Sequence, residues 1–254
     1  MKRYRILKGL CAFLLALPAR AQVNVEPIRQ RVAEEGFGVR IDGSMTGFAG
    51  NTEGLVLGSG LLVGFREAPH LAFLNAAGDY ARFGGEAQVQ KSFAHARYNL
   101  QFLPWLWGEL FGQVETDKFR QITLRTLAGT GPRFALLQEA HGDVFLGTAY
   151  MLEYTEIDDA AEDAGAQGLA HRSSSYLSMI LRAEERVTLN NVIYFQPRWD
   201  DFSDYRILNV TGLGFTISKR LETRIDVTAR YESVHAEAVK PFDLQVKNSI
   251  ALTL

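Results

Sequence analysis

Hydrophobic and polar positions alternate with a period of two along most of this chain, most cleanly towards its C-terminus. Leu221, Thr223, Ile225, Val227, Ala229 and Tyr231 fall on one face, and Glu222, Arg224, Asp226, Thr228, Arg230 and Glu232 on the other. Successive side chains of a strand point to opposite sides, so this stretch predicts a strand whose two faces meet different solvents. Phe242, Leu244, Val246, Ile250 and Leu252 repeat the pattern against Asp243, Gln245, Lys247 and Ser249, with Asn248 alone interrupting the apolar face. The same reading covers Phe37 to Thr46, Ile122 to Phe134 and Tyr176 to Arg182. Segments 54–67, 70–83, 90–103, 105–115, 144–156, 187–197 and 205–218 complete a set of twelve. In 70–83, Asp79 falls among apolar positions, which points to a bulge in that register.

Strands of roughly ten to fourteen residues are long, since strands of globular proteins average about five to six. Length, dyad alternation, 23 glycines and 11% aromatic residues predict an all-β fold: a closed antiparallel transmembrane β-barrel of about twelve strands. Hydrocarbon leaves no partner for a free backbone N–H or C=O, so a sheet spans a bilayer only when closed. With both termini periplasmic, the expected inner turns are 67–69, 103–105, 138–143, 183–186 and 219–220. The outer connections are then 49–53, 84–89, 116–120, 157–170, 198–204 and 234–241, the longer set, as outer-membrane barrels have. Tyr98, Tyr154, Tyr205 and Tyr231, near strand ends, are candidates for an interfacial aromatic belt. Connection 157–170 carries Asp158, Asp159, Glu162 and Asp163 without Lys or Arg. It reads as a solvated loop, with divalent-cation bridging to lipopolysaccharide as the sharper alternative.

Composition changes this picture mainly at the N-terminus. Lys2, Arg3, Arg5 and Lys8 precede an apolar run from Gly9 to Leu17, followed by Pro18 and the small-residue frame Ala19-Arg20-Ala21. This three-part pattern predicts a cleaved signal peptide over 1–21. A periplasmic segment over 22–35 would follow, read either as a short helix from Glu26 or as a solvated linker, and then the barrel over 36–254. Cleavage removes Cys11, the only cysteine, and five basic residues. The mature chain then has 22 Lys+Arg against 29 Asp+Glu, net -7. Neither a disulfide scaffold nor a nucleic-acid binder fits those numbers.

Turning the polar faces inward gives a candidate lumen of Arg40, Arg66, Arg82, Lys91, Arg97, Arg125, Arg133, Arg172, Arg182, Arg198, Arg206, Arg224, Arg230 and Lys247. Against them stand Asp42, Glu109, Glu115, Glu153, Glu222, Asp226, Glu232 and Asp243: 14 bases to 8 acids. Basic linings favour anions, so one reading is a small anion-preferring pore. The other is a structural barrel whose lumen charges pair and fill it, because low-dielectric interiors penalise lone ions.

Several clusters resemble the YdiY-like group of domains of unknown function, the "salt-induced outer membrane proteins". They are Gly50-Asn51-Thr52, Arg97-Tyr98-Asn99, Glu109 to Gln113, Arg125 with Gly129 and Arg133, Gly147 with Tyr150 and Glu153, Tyr194 to Pro197, Asp204-Tyr205-Arg206 and Arg230-Tyr231. The resemblance runs over the mature chain in order and implies an outer-membrane barrel of a Gram-negative bacterium, without an established activity. Leu254 as last residue, and the segment from Ser233 to Pro241, depart from the usual pattern.

A catalytic alternative rests on His171 and Ser173, which share one face of a strand, with Glu156 at the top of the preceding one. Such a trio could act as an outward-facing lipid acyl hydrolase, His171 deprotonating Ser173 and Glu156 orienting the imidazole. The remaining histidines lack the spacing of metal ligands, so no cofactor or metal is expected. The expected partners are outer-membrane lipid and lipopolysaccharide, the barrel-assembly machinery during insertion, and small anions. The expected state is a monomer.

Overall fold

The structure is a computed structural model and describes residues 36–48, 53–158, 167–183, 186–218, 221–236 and 239–252. The signal peptide, the segment 22–35, Gly50 to Thr52, Leu254 and most of the acids of 157–170 lie outside these residues. Twelve strands form one antiparallel sheet in sequence order: β1 (Gly36–Phe48), β2 (Gly54–Glu67), β3 (His70–Phe83), β4 (Glu86–Leu103), β5 (Leu106–Asp117), β6 (Ile122–Glu139), β7 (Gly142–Ile157), β8 (Gly168–Ala183), β9 (Val187–Pro197), β10 (Tyr205–Ser218), β11 (Leu221–Glu232) and β12 (Phe242–Leu252). The expected bounds of β2, β3, β9, β10 and β11 coincide with these.

The two ends of the sheet differ. Turns of two or three residues follow β2, β4, β6, β8 and β10, whereas five of the six connections at the other end are longer. The exception corrects the expected outer connection 84–89. Gly84 and Gly85, with φ of 58° and 91°, make a two-residue turn, and β4 begins at Glu86. Only a residue without Cβ adopts such angles cheaply, and paired positive φ is what a tight hairpin between right-twisted strands needs. Asp79 also falls into place differently. The β2–β3 register is unbroken past it, and the β3–β4 shift lies beyond it at Ala81/Arg82. Asp79 sits on the inner face with Phe73 and Ala81, both buried, and Lys91 lies 3.6 Å away.

Side chains of strands far apart in the sheet meet on one face. Tyr176 of β8 donates to Glu109 of β5, Arg206 of β10 pairs with Glu153 of β7, and Arg120, between β5 and β6, reaches Glu232 of β11. Such chords require the sheet to curl round them, making that face concave. Among the described residues the ladder runs from β1 to β12, and no ladder joins these two strands.

The distribution of polarity is inverted relative to a water-soluble fold. The concave face buries Lys91, Arg97, Glu109, Glu115, Arg125, Arg133, Glu153, Arg172, Arg206, Arg224 and Arg230. The convex face presents Ile41 (79% exposed), Leu110, Val114, Leu146, Leu152, Leu177, Ile193 and Phe195. Charged groups are almost never fully buried in soluble proteins unless paired, and contiguous exposed apolar surface marks a contact. No helix among the described residues is long and apolar enough to cross a membrane.

Candidate functional site: the charged interior

Period-two alternation delivers the interior residues one by one, and antiparallel register sets them opposite each other. Glu115 of β5 lies across from Arg125 of β6, and Arg125 from Thr155 of β7. Arg125 Nη1 donates to Glu115 Oε1 at 3.1 Å, and its Nε to Thr155 Oγ1 at 3.1 Å. From Glu115 the network runs in two directions. Towards the short turns, Gln113 Nε2 donates to Glu115 at 2.8 Å, and Gln113 Oε1 lies 3.1 Å from His95 Nδ1. Arg97 follows, with Nη1 3.1 Å from Glu109 Oε2 and its guanidinium 4.7 Å from the Phe111 ring centre. Glu109 also accepts from Asn99 at 3.2 Å and from Tyr176 OH at 2.9 Å, and Arg133 donates to that hydroxyl at 2.9 Å.

Towards the long connections the charges are denser. Glu232 is a hub: Arg120 donates to its carboxylate, and Arg125 and Arg206 each lie 3.8 Å from it. Arg206 donates to Glu153, which also faces Arg172 Nε at 3.5 Å. Arg172 completes the chain with two bonds to the Asp204 carboxylate, at 2.8 and 2.9 Å. Arg120 comes from a connection. Asp117 accepts from the backbone N–H groups of Phe119 and Arg120, folding residues 118–120 into a 3₁₀ turn that tucks Arg120 inward while Phe119 stays exposed. At the rim, hydrogen bonds from Arg198 hold the Asp200 carboxyl below its usual range.

Of the expected lumen residues, Arg97, Glu109, Arg125, Arg133, Glu153, Arg206, Arg224 and Arg230 are buried on the concave face. Asp226 is partly buried and accepts from Arg224 Nε at 2.7 Å. The side chain of Lys247 lies outside the described residues. Three expected bases belong elsewhere. Arg82 is exposed and donates to Gly85 O at 2.9 Å, Arg182 pairs with Asp143 at the short-turn edge, and Arg198 pairs with Asp200 in the connection after β9. Arg120 and Asp204, which lie on connections, and Asp79, where a bulge is expected from the sequence, stand outside the expected lumen set but pair within the interior. Among the described residues nine buried bases then stand against six buried acids, with Asp79 and Asp226 partly buried beside them. Asn99, Gln113, Gln196 and Asp204 were nonetheless visible within the clusters quoted for the family resemblance.

The convex-face trio does not assemble. His171 stands opposite Leu152, four residues along β7 from Glu156, about 13 Å at ~3.3 Å per residue. The His171 ring bonds Tyr150 OH, and Ser173 Oγ lies 3.2 Å from Ser175 Oγ. Among the described residues no group of three or more His, Cys, Asp or Glu could hold a metal ion.

Residues 43–253 match the family model of DUF481, a protein of unknown function. The chain belongs to that family. DUF481 is the YdiY-like group whose motifs the sequence carries. No curated protein matches this DUF481 chain. Among solved structures it is similar to a KdgM porin in complex with disordered oligogalacturonate (10% identity, TM-score 0.46, covering 86% of this chain and 99% of that one). It is also similar to the NanC porin (8%, 0.49, 85% and 99%) and to a bacterial polysaccharide outer membrane secretin (9%, 0.48, 87% and 99%). Likeness at this level carries no substrate to the DUF481 chain.

One glycine keeps the interior of this DUF481 chain closed-packed. The Tyr176 ring lies across β7 at Gly147, where a Cβ would stand 2.1 Å from ring atom Cε1. Gly147→Val is expected to displace the ring, break both hydrogen bonds of its hydroxyl and cost roughly 3 kcal/mol, by overpacking and loss of partners together. A urea unfolding midpoint in detergent within error of the parent would refute this placement.

Proposed function

We propose that the protein is an integral outer-membrane β-barrel, closed by β1 against β12, with a narrow lumen lined by paired charges. The observation that carries the reading is the inverted burial: ions and amides inside, a predominantly apolar surface outside. Water would reward the opposite arrangement, and lipid rewards this one. Dimensions agree. The 12 residues of β5 extend roughly 40 Å at ~3.3 Å per residue. Tilted by about 45° they cross roughly 28 Å, close to the hydrocarbon thickness. Trp105, Phe102 and Phe134 near the short turns, and Tyr154, Trp199 and Phe202 near the long connections, supply interfacial aromatics at both edges.

Inside, the chain of ion pairs from Arg97 to Asp204 favours a braced barrel that passes only small ions. Among the described residues nine buried bases stand against six buried acids, which supports an anion preference. Its surroundings would be outer-membrane lipid and lipopolysaccharide, reached through the barrel-assembly machinery.

The test is the mature protein refolded in detergent, run on a gel with and without boiling, and then placed in a planar bilayer under a salt gradient. A heat-sensitive mobility shift with small, anion-selective steps is expected. No mobility shift would defeat the barrel, and large cation-selective steps would defeat the lumen reading.

A further inference from the structure

The lipid-facing side of the sheet is not uniform. One mid-strand row of the convex face, across β2 to β5, reads Leu61, Ala76, Ala94 and Val114 and is wholly apolar. The corresponding row across β8 to β11 reads Met179, Asn191, Thr211 and Val227, with Asn209 beside it on β10. Asn191, Thr211 and Asn209 alternate with inward residues, so they share the convex face with Ile193, Ile207 and Leu213. A second polar group lies on the adjoining strands, where Thr148 Oγ1 is 3.0 Å from Ser175 Oγ and Ser175 bonds Ser173.

The three central side chains satisfy one another only in part. Asn191 Nδ2 donates to Thr211 Oγ1 at 2.8 Å and to Asn209 Oδ1 at 3.4 Å, and Thr211 donates to Asn209 Oδ1 at 3.2 Å. Among the described residues this leaves the Asn209 Nδ2 amide hydrogens and the Asn191 Oδ1 carbonyl without a partner. Both belong to half-exposed side chains at mid-strand. In hydrocarbon an unmade amide hydrogen bond is costly, and no water is present to supply one. Donor and acceptor lie side by side on one patch, so the patch is complementary to itself. That is the condition an isologous two-fold interface sets, each copy's donor meeting the other's acceptor twice.

We infer that the convex face of β8 to β10 is a dimer interface between two copies of this chain, joined by reciprocal hydrogen bonds between Asn209 and Asn191. The inference rests on the membrane reading above, because in water both groups would be hydrated and would need no partner. It also replaces the monomer expected from the sequence.

The full mature protein, carrying one dye at its N-terminus, is reconstituted into vesicles at high lipid excess and its bleaching steps are counted. Flotation of the vesicles and the boiling-dependent gel shift are recorded on the same sample. Two-step bleaching is expected for the parent. Asn191→Leu with Asn209→Leu, still floating and still heat-shifted, is expected to bleach in single steps, with a dissociation constant raised roughly ten-fold or more. Floating, heat-shifted parent protein that bleaches in single steps would overturn the interface, as would a dimer unchanged by both leucines. Parent protein that fails to float would instead overturn the membrane reading, so the two failures are told apart.

Discussion

Glu232→Gln is expected to destabilise the folded protein by about 3 kcal/mol, the scale of removing one partner from a buried ion cluster. Arg120, Arg125 and Arg206 converge on this carboxylate, and glutamine leaves all three in place with less negative charge to face. Arg206→Gln makes the informative contrast. It leaves Glu153 facing Arg172 and Glu232 facing Arg120, so its cost should be clearly smaller. Urea midpoints of the boiling-sensitive form, taken at neutral pH in one detergent, measure both. In a bilayer the Glu232 variant should also move the reversal potential further towards anions, since a central negative charge is gone. A loss below 1 kcal/mol would show that the hub is not where the interior is held together.

The second large effect is expected on the outside. Val114→Arg, on the convex face of β5 and 41% exposed, should cost about 2 kcal/mol or more in lipid and strongly reduce assembly into membranes. The same substitution on the exposed face of a water-soluble sheet would change stability by no more than about 0.5 kcal/mol. The measurement is therefore a direct vote on which solvent meets the convex face. Equal unfolding midpoints for variant and parent in phospholipid vesicles would remove the bilayer from the account.

Both effects follow from burial that the sequence foreshadowed in direction. Leu221 to Glu232 announces a two-solvent strand before any partner is known, because a period of two is a property of the strand itself. Five strands could be bounded correctly for the same reason. What alternation cannot supply is the position of anything off a strand. Arg120 was read as part of a loop. Its inward aim comes from the Asp117 cap and from a partner on β11 more than a hundred residues away. Asp204 likewise falls in a connection, so alternation gives it no face, and Arg82 and Arg198, expected inside, find their nearest partners in their own connections. Glu156 and His171 flank one long connection, which leaves their spacing open in the sequence, and the β7–β8 register separates them by four residues.

The sequence by itself determined the strands, their two-faced character, the family, and the charged nature of one face. Those depend on side-chain order and backbone periodicity, which are local. Only the tertiary structure decided which charges meet, that connections supply an acid and a base to the interior, and that Asn191 and Asn209 stand together on the outer face. Pairing across a curled sheet joins residues far apart in the chain, and its register is fixed by the whole set of hydrogen-bonded neighbours, not by any one strand.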